Sequence, residues 1–310
     1  MSDAPAEGLV VMAYGTPASP EALLEYYTHI RRGRPPTDEQ LADLRSRYEA
    51  IGGISPLAER TRAQTAAIAG QLEQAAPGRV VVRLGQKHAA PFIEDAVAEL
   101  AAEGVRRIVG LVLAPHHSAG SVGQYHQRAA EAARQHGVAF RGIPDWHLEP
   151  AFLDHQATSL RERLSTMPST TKVLFTAHSL PERVLVDDPY PDQLRASAEQ
   201  IADRAGLPAW YGWGVAWQSA GRTPEPWRGP DVLDVIRELA ASGRSEGVLV
   251  VPQGFTSDHL EVLYDLDIEA RGVAEQLGLA FARTEVVNDD PRVMGALAAR
   301  VLGELEDGTW

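Results

Sequence analysis

The sequence predicts an α/β fold, a doubly wound architecture built from two similar halves. Three observations support this prediction. Short apolar segments alternate along the chain with longer amphipathic segments, the order that produces a parallel sheet flanked by helices. The apolar segments are nearly continuous rather than alternating, which is typical of strands covered on both faces. Finally, two strand-and-turn patterns of the first half recur in the second.

Six segments have the length and composition of buried strands. They are GLVVMAY (8–14), VVVRLG (80–85), RIVGLVLAP (107–115), KVLFTA (172–177), WGVAWQ (213–218) and GVLVVP (247–252). Amphipathic patterns lie between them, for example at 60–75 and 91–104, and these patterns predict helices.

The internal repeat divides the chain into two domains, predicted at 1–150 and 151–310. The repeated patterns are LVVMAYGTPASPEAL (9–23) with VLFTAHSLPERVL (173–185), and LVLAPHHSAGSV (111–122) with LVVPQGFTSDHL (249–260). In open α/β sheets, ligands bind beyond the carboxyl ends of the strands. We therefore expect the polar residues that follow these four strands to face one cleft.

The composition excludes several classes of function. The chain has 310 residues, a net charge of −13 and no cysteine. The acidic balance argues against general nucleic-acid binding, which requires clustered Lys and Arg. A chain without cysteine has no disulfide, thiolate zinc site, cysteine-ligated iron–sulfur cluster or cysteine nucleophile. The acidic start does not resemble a signal peptide, and no apolar run reaches the length of a membrane span, so we expect a cytoplasmic protein.

The first candidate site residue is His178, which directly follows the predicted strand KVLFTA. An imidazole at a strand end can be a structural histidine beside a helix cap, because HSLPE also resembles a helix N-terminus with proline near its first position. It can equally be a ligand or a proton acceptor, since histidine titrates near neutral pH. The residue alone leaves both interpretations open.

An acidic row later in the second half of the chain favours the functional interpretation of His178. If the segment 257–270 is a helix, then Glu261, Asp265 and Glu269 fall on one ridge, about 6 Å apart. Asp258 and Glu261 also fit a capping box, which is the alternative for Glu261. Since no Lys or Arg interrupts the row, we interpret it as a path for a divalent cation or for protons. Imidazole and oxygen ligands together suit iron, manganese, magnesium or zinc.

A basic cluster lies in the first half of the chain. Arg31, Arg32 and Arg34 are close together in YYTHIRRGRPP, and Arg45 and Arg47 follow in DLRSRYEAIGGISP. Guanidinium groups bind carboxylates and phosphates in bidentate pairs, so the cluster indicates a site for an anionic ligand. A solvated helix end is the alternative for any single arginine.

With these stretches assembled, the chain resembles the ferrochelatases, in particular the soluble bacterial type assigned to coproporphyrin. The resemblance runs from about residue 9 to the end. It rests on long stretches such as VVMAYGTP, YYTHIRRGR, RYEAIGGISPL, KHAAPFIEDAV, AHSLPERV, WQSAGRTPEPWRGPDV and PQGFTSDHLEVLYDLDIE. The family implies two Rossmann-like, chelatase-type domains with the active-site cleft between them, and a last helix that returns to the first domain.

The resemblance also implies roles for individual residues. His178 matches the histidine near the pyrrole nitrogens, Glu261 matches its carboxylate partner, and Asp265 and Glu269 match the acidic row that guides metal or protons. These four are the candidate metal ligands. Tyr14 matches the tyrosine on the other side of the macrocycle in coproporphyrin-type enzymes, and with His178 and Glu261 it completes the candidate catalytic set.

Six further positions are candidate substrate-binding residues. Arg31, Arg47, Ser55 and Tyr125 match positions that line the cleft and contact the porphyrin propionates, and Lys87 and His88 match a pair near the mouth of the pocket. The run HHSAGSVGQY departs from the family, because His117 and several glycines stand where relatives carry bulkier residues, so we expect a looser pocket wall there.

The expected reaction is insertion of Fe²⁺, as a substrate, into coproporphyrin III to give coproheme in heme biosynthesis, with release of two protons. The alternatives are an enzyme that uses protoporphyrin IX as its substrate, a chelatase that inserts cobalt or nickel into another tetrapyrrole, and a non-catalytic carrier of metal or heme. We expect no permanently bound cofactor, no iron–sulfur cluster, no nucleic-acid partner and no membrane span. We also expect a regulatory divalent metal at the acidic row, a monomeric state and transient contacts with neighbouring heme-pathway enzymes.

Overall fold

The computed structural model describes residues 7–207, 212–221, 223–307 and 310. The strands in these ranges are β1 (Glu7–Ala13), β2 (Val80–Gln86), β3 (Arg107–Val112), β4 (Ala139–Gly142), β5 (Lys172–His178), β6 (Trp213–Gln218), β7 (Gly247–Val251) and β8 (Ala280–Arg283).

The helices are α1 (Leu23–Ile30), α2 (Asp38–Ala50), α3 (Leu57–Ala75), α4 (Ile93–Ala102), α5 (Val122–Gln135), α6 (Pro150–Leu164), α7 (Tyr190–Ala205), α8 (Val232–Ser242), α9 (Leu260–Leu263), α10 (Arg271–Gln276) and α11 (Pro291–Glu306). Short 3₁₀ turns occur at Pro20–Ala22 and Glu182–Val184, and a π-helix, here called the π segment, spans Asp265–Ala270.

The strands form two parallel four-stranded sheets with the same order. The first sheet runs β2-β1-β3-β4 and the second runs β6-β5-β7-β8. Every described pair within these sheets is parallel, with helices in the connections. The predicted α/β fold of two similar halves is therefore confirmed. All six predicted strands are present, as β1, β2, β3, β5, β6 and β7.

The two remaining strands were not predicted. β4 and β8 have only four residues each, AFRG and AFAR, and both lie at a sheet edge. They are shorter than the predicted strands and stay partly exposed, so they lack the continuous apolar run that identified the other six, among them the edge strands β2 and β6.

The first compact unit contains the chain up to Ala114, then Gly120–Asp145, and finally Asn288 onward. β1 lies at its centre, with residues 9 to 12 completely buried. Val10 and Met12 pack with α4 and α5 in one core cluster. Leu9 and Val11 point to the opposite face, because side chains alternate along a strand, and α3 and α11 pack together as a pair in this unit.

The second compact unit contains 115–119 and 146–287. β5 and β7 are its central strands. Leu174, Val248 and Val250 form a core cluster with α8 and the apolar residues of the π segment. The amphipathic helices α6 and α7 pack with each other and contact the sheet at β7 and β6. Covering both faces of the sheet leaves the carboxyl ends of its strands to carry polar residues.

A close backbone contact fixes the carboxyl end of β5. Gly254, in the turn after β7, donates its backbone N–H to the carbonyl oxygen of Thr176 at 3.0 Å. A side-chain carbon at this position would lie 2.5 Å from the Cβ of Ala177, so only glycine fits. Ala177 directly precedes His178, and the contact therefore sets the position of that histidine. Within the described ranges, none of the helices combines the length and apolarity required for a membrane span.

We expect Gly254→Ala to lower the free energy of unfolding by about 1–3 kcal/mol, because the added methyl group overlaps Ala177. Chemical denaturation measures the change. The matched control is Gly303→Ala on the exposed side of α11, where the added carbon meets no atom within 4 Å. This control should raise stability by about 0.5–1 kcal/mol, since alanine is the better helix former. Equal stability of Gly254→Ala and the wild type would contradict the packing argument.

Candidate active site

His178 is the last residue of β5 and pairs with Gln218 at the end of β6. Its Nδ1 is hydrogen-bonded to the carbonyl oxygen of Ser179. Because a carbonyl oxygen can only accept, this contact assigns the hydrogen to Nδ1 and leaves Nε2 as the nitrogen that gains or loses a proton. Nε2 lies 3.4 Å from Oε1 of Glu261, so the structure brings the two predicted residues together. Tyr190 further anchors the strand end by donating its hydroxyl to the carbonyl oxygen of His178 at 3.2 Å.

Glu261 lies in α9 between two imidazoles. Its Oε2 is 3.5 Å from Nε2 of His259, while its Oε1 faces His178. The Nδ1 of His259 donates to the carbonyl oxygen of Ser257 at 2.9 Å, so this second imidazole is oriented in the same way as the first. Sequence reasoning missed His259. The only signal was its position two residues before Glu261 at a strand-end turn, and that position alone does not reveal which way the ring points.

The attraction between these groups outweighs the cost of burying them. Burial alone would lower the pKa of His178, but the negative charge of Glu261 and the Ser179 carbonyl raise that pKa above its ordinary value. Burial would likewise raise the pKa of Glu261, but the contacts with His178 and His259 hold it well below its usual range. The pair is therefore an imidazolium–carboxylate pair. Its side chains are 35% and 33% exposed, which keeps them within reach of a ligand or solvent.

The acidic row differs from the prediction. The uninterrupted α-helix predicted over 257–270 is wrong: α9 has four residues and the π segment follows it. The backbone N–H of Glu269 bonds to the carbonyl oxygen of Tyr264, five residues earlier, which widens the turn. Asp265 is buried and accepts a hydrogen bond from the hydroxyl of Ser219, and its charge adds to the raised pKa of His178.

Glu269 is half-buried on the same segment. Across the described ranges, no three or more His, Asp or Glu side chains form a group that could hold a metal ion. A preformed regulatory metal site at the acidic row is therefore not supported. Asp265 and Glu269 remain as two carboxylates on the π segment that follows Glu261.

The first unit carries a second group of predicted residues, around Tyr14. Tyr14 follows β1 with 43% of its surface exposed, and its ring packs against His88 with the ring centres 4.6 Å apart. The Nδ1 of His88 lies 3.0 Å from Nδ1 of His29. Burial and the nearby charge of Lys87 lower the pKa of His88 to about 3, so His88 is neutral. Sequence analysis did not identify His29 as part of this group.

Lys87 and Tyr125 also lie together in this unit. The ammonium of Lys87 sits 5.0 Å from the centre of the Tyr125 ring. Burial and the charges of Arg128 and Arg32 lower the pKa of Lys87 to about 8. Arg128 was missed by the sequence analysis; it donates to the backbone carbonyl of Lys87 at 2.7 Å and makes two 2.7 Å bonds to Glu94.

The predicted carboxylate-binding residues lie on three separate elements of the first unit. Arg31 is at the end of α1, where its Nε donates to the carbonyl oxygen of Arg34 at 3.2 Å. Arg47 is on α2, 3.8 Å from Asp43. Ser55 is buried before α3, and its hydroxyl oxygen accepts from the backbone N–H of Leu57 at 3.2 Å.

The glycine-rich run at His117 begins with a tightly held loop in the second unit. The backbone N–H of His117 donates to Oε1 of Gln193 at 2.6 Å. Asp188 accepts from the Ser118 hydroxyl at 3.1 Å and from the N–H of Ala119 at 2.8 Å. The loop is thereby tied to the start of α7.

Comparisons with known proteins identify the family. The sequence model of the ferrochelatase family matches residues 6–305. The chain is 46% identical over 306 residues to a protein named coproporphyrin III ferrochelatase from Anoxybacillus flavithermus, covering 96% of each chain. A protein of the same name from Bacillus subtilis is 44% identical over 306 residues, covering 96% of this chain and 97% of the relative.

The chain belongs to the ferrochelatase family. Members of this family are lyases that insert a metal into a porphyrin, so the protein is an enzyme with Fe²⁺ as a substrate. Among solved structures, SirB from Bacillus subtilis with Fe³⁺ shares the fold with a TM-score of 0.57 at 13% identity, over 97% of this chain and 96% of that one. A cobalt-bound sirohydrochlorin chelatase SirB from Bacillus subtilis subspecies spizizenii has a TM-score of 0.53 at 12% identity, over 98% of both chains.

Removing the charge of Glu261 should lower the pKa of His178. We expect Glu261→Gln to move it down toward the ordinary histidine value of about 6.5, because the attraction that raises it is lost. Titration of the imidazole ¹⁵N resonances by NMR measures the shift. His88, which its lowered pKa of about 3 keeps neutral, provides the control and should not change its charge near neutral pH in either protein. An unchanged His178 titration would show that Glu261 does not hold the proton on this imidazole.

The His178–Glu261 pair also makes the free energy of unfolding depend on pH. Since the folded-state pKa of His178 is raised and that of Glu261 is lowered, the pair contributes fully to stability between the unfolded-state pKa of glutamate and that of histidine. The contribution is lost as the pH rises through the raised pKa of His178.

Proposed function

We propose that this enzyme inserts Fe²⁺ into coproporphyrin III and releases two protons, giving coproheme in heme biosynthesis. The observation that carries the chemistry is the carboxylate of Glu261 between the imidazoles of His178 and His259, at 3.4 and 3.5 Å. The choice of porphyrin is supported by the names of relatives 44–46% identical over nearly the whole chain. Protoporphyrin IX is the alternative substrate.

The reaction replaces two pyrrole N–H hydrogens by one Fe²⁺, so two protons must leave for each metal that enters. His178 and His259 both direct Nε2 toward Glu261, and a neutral imidazole can accept one proton at this nitrogen. We assign one proton to each imidazole. The carboxylate between them stabilises the positive charge that each proton brings.

The charge of the site before the substrates bind determines the order of metal entry and proton release. His178 holds a proton in the empty site, because Glu261 raises its pKa. An arriving Fe²⁺ repels that proton electrostatically, so metal entry and proton loss to solvent are coupled. His178 then has its Nε2 lone pair available for the pyrrole proton or for the metal. We propose that Asp265 and Glu269 give the displaced protons a path along the helix, or guide the metal inward.

The residues of the first unit are proposed to bind the porphyrin. Arg31, Arg47 and Lys87 supply positive charge for substrate carboxylates. Hydroxyl groups of Ser55 and Tyr125 offer hydrogen bonds, and the Tyr14 ring, which packs against His88, offers an aromatic contact for the macrocycle. A planar porphyrin hides its nitrogen lone pairs within the ring, and binding energy at the carboxylates can offset the cost of distorting it.

The number of carboxylates favours coproporphyrin. Coproporphyrin III has four carboxylates and protoporphyrin IX has two, and the first unit carries several cationic side chains in an otherwise acidic protein. The proposal includes a cytoplasmic location, a monomeric state and transient contact with neighbouring heme-pathway enzymes. It includes no regulatory metal.

We expect His178→Ala to bind coproporphyrin III normally but to insert Fe²⁺ at least about a hundredfold more slowly, because a general base at this step contributes roughly that much. Anaerobic turnover with coproporphyrin III and protoporphyrin IX side by side measures the rate, and porphyrin fluorescence measures binding. His136→Ala at the exposed end of α5 serves as the control. Near-normal turnover of His178→Ala would remove this residue from the mechanism. Faster cobalt insertion into sirohydrochlorin by the wild type would replace the proposed substrate pair.

Loss of a carboxylate-binding arginine should act mainly on substrate affinity. We expect Arg47→Ala to raise KM for coproporphyrin III about tenfold with a smaller change in kcat, since a charged hydrogen bond contributes about 1.5–3 kcal/mol. Arg134→Ala removes a comparable charge from the exposed face of α5 and should leave both constants unchanged. An unchanged KM for Arg47→Ala would contradict a contact between Arg47 and the porphyrin.

A further inference from the structure

The segment 258–267 carries His259, Glu261 and Asp265, and its helical hydrogen bonding is irregular. α9 contains four residues and continues through Tyr264 into the π segment, so the winding of the helix changes between Glu261 and Asp267. The π segment that follows is a rare and less favourable form of helix. A short irregular element of this kind needs contacts from outside to hold a carboxylate within a few tenths of an ångström of a productive position.

Arg283 supplies contacts to both flanks of this segment. It is the last residue of β8, and its side chain is only 14% exposed. Nε and Nη2 donate to the two carboxylate oxygens of Asp267, each at 2.8 Å, in a bidentate pair. Nη2 also donates to Asp258 at 3.2 Å, and Nη1 donates to the carbonyl oxygen of Thr284 at 3.1 Å. One guanidinium therefore joins the residue three positions before Glu261 to a residue six positions after it.

The geometry suits arginine and no other cation. Bridging Asp258 and Asp267 while holding Asp267 through two oxygens requires a planar group with several donors in fixed directions. The strand that carries the guanidinium is fixed by its pairing with β7, from Gly247–Ala280 to Val250–Arg283. The bridge therefore fixes the helix that carries Glu261 relative to the sheet.

A second arginine helps to define what Arg283 does. Arg271, the first residue of α10, donates to the backbone carbonyl of Asp267 at 3.2 Å, and its guanidinium is 3.8 Å from the carboxylate. Positive charge thus remains beside Asp267 when Arg283 is replaced. What a replacement removes is the connection between Asp267 and Asp258.

We propose that Arg283 is a positioning residue for metal insertion: by bridging Asp258 and Asp267 it fixes the segment that places Glu261 and His259 opposite His178. This inference rests on the proposed roles of Glu261 and His178. It assigns Arg283 no contact with the porphyrin or the metal.

The test compares Arg283→Gln and Arg283→Lys with the wild type in anaerobic Fe²⁺ insertion. Loss of a group that orients a reacting residue costs roughly 10–100-fold, so we expect kcat of Arg283→Gln to fall at least tenfold. KM for the porphyrin should stay within about twofold, because no substrate contact is lost. Arg283→Lys keeps the charge but not the bidentate fork, and its kcat should fall more than about threefold below that of the wild type while staying above that of Arg283→Gln.

The matched control is Arg163→Gln, which breaks an exposed pair with Glu285 in the same unit and should leave kcat and KM unchanged. Circular dichroism and thermal unfolding check that each variant folds. If Arg283→Gln does not fold, Arg283→Lys decides alone. A kcat of folded Arg283→Lys within about twofold of the wild type, or an effect confined to KM, overturns the proposal.

A double-mutant cycle separates this proposal from the proposed function. If Arg283 acts through Glu261, then Arg283→Gln should slow the wild type but have little further effect in the Glu261→Gln background. Full additivity of the two changes would overturn the positioning role while leaving that of Glu261 intact. If Glu261→Gln alone retains wild-type turnover, the assigned role of Glu261 fails instead.

Discussion

The geometry of the candidate active site depends on the attraction between one carboxylate and one imidazole. Glu261 and His178 are both partly buried, and either one alone would shift toward its neutral form. Together they hold a proton and a charge pair at the end of β5. Two backbone carbonyls, from Ser179 and Ser257, determine which ring nitrogens face the carboxylate. The site is therefore an arrangement in which backbone geometry fixes the tautomers, and the tautomers fix where protons can go.

The parallel arrangement of the strands places polar residues at the carboxyl end of the sheet. A strand buried on both faces has no room for polar side chains along its length, so they collect beyond its carboxyl end. This reasoning made six of the eight described strands predictable from their continuous apolar runs. It also pointed to His178, which directly follows such a run. It failed for β4 and β8, whose identity as strands depends on a neighbouring strand rather than on their own composition.

The site was only partly predictable for a similar reason. His178 and Glu261 stood out because their positions match a family pattern, and the structure places them in contact. Arg283 bonds to residues 16 and 25 positions earlier, and nothing in its local sequence specifies these partners. His259 contacts its near neighbours Ser257 and Glu261, but their sequence positions do not specify which way the ring points. The direction of an imidazole ring or a guanidinium fork is set by tertiary structure, which a periodic pattern of residue types does not encode.

The π segment has a consequence for how this enzyme can tolerate change. Its hydrogen bonds reach back five residues instead of four, so the segment takes up an extra residue without changing the phase of the helix on either side. Deleting a single residue there would restore ordinary α-helical winding and leave the flanking turns nearly in phase, but it would change the directions of the side chains within the segment. Substitutions leave the spacing of the carboxylates intact, whereas a change in chain length at this point does not.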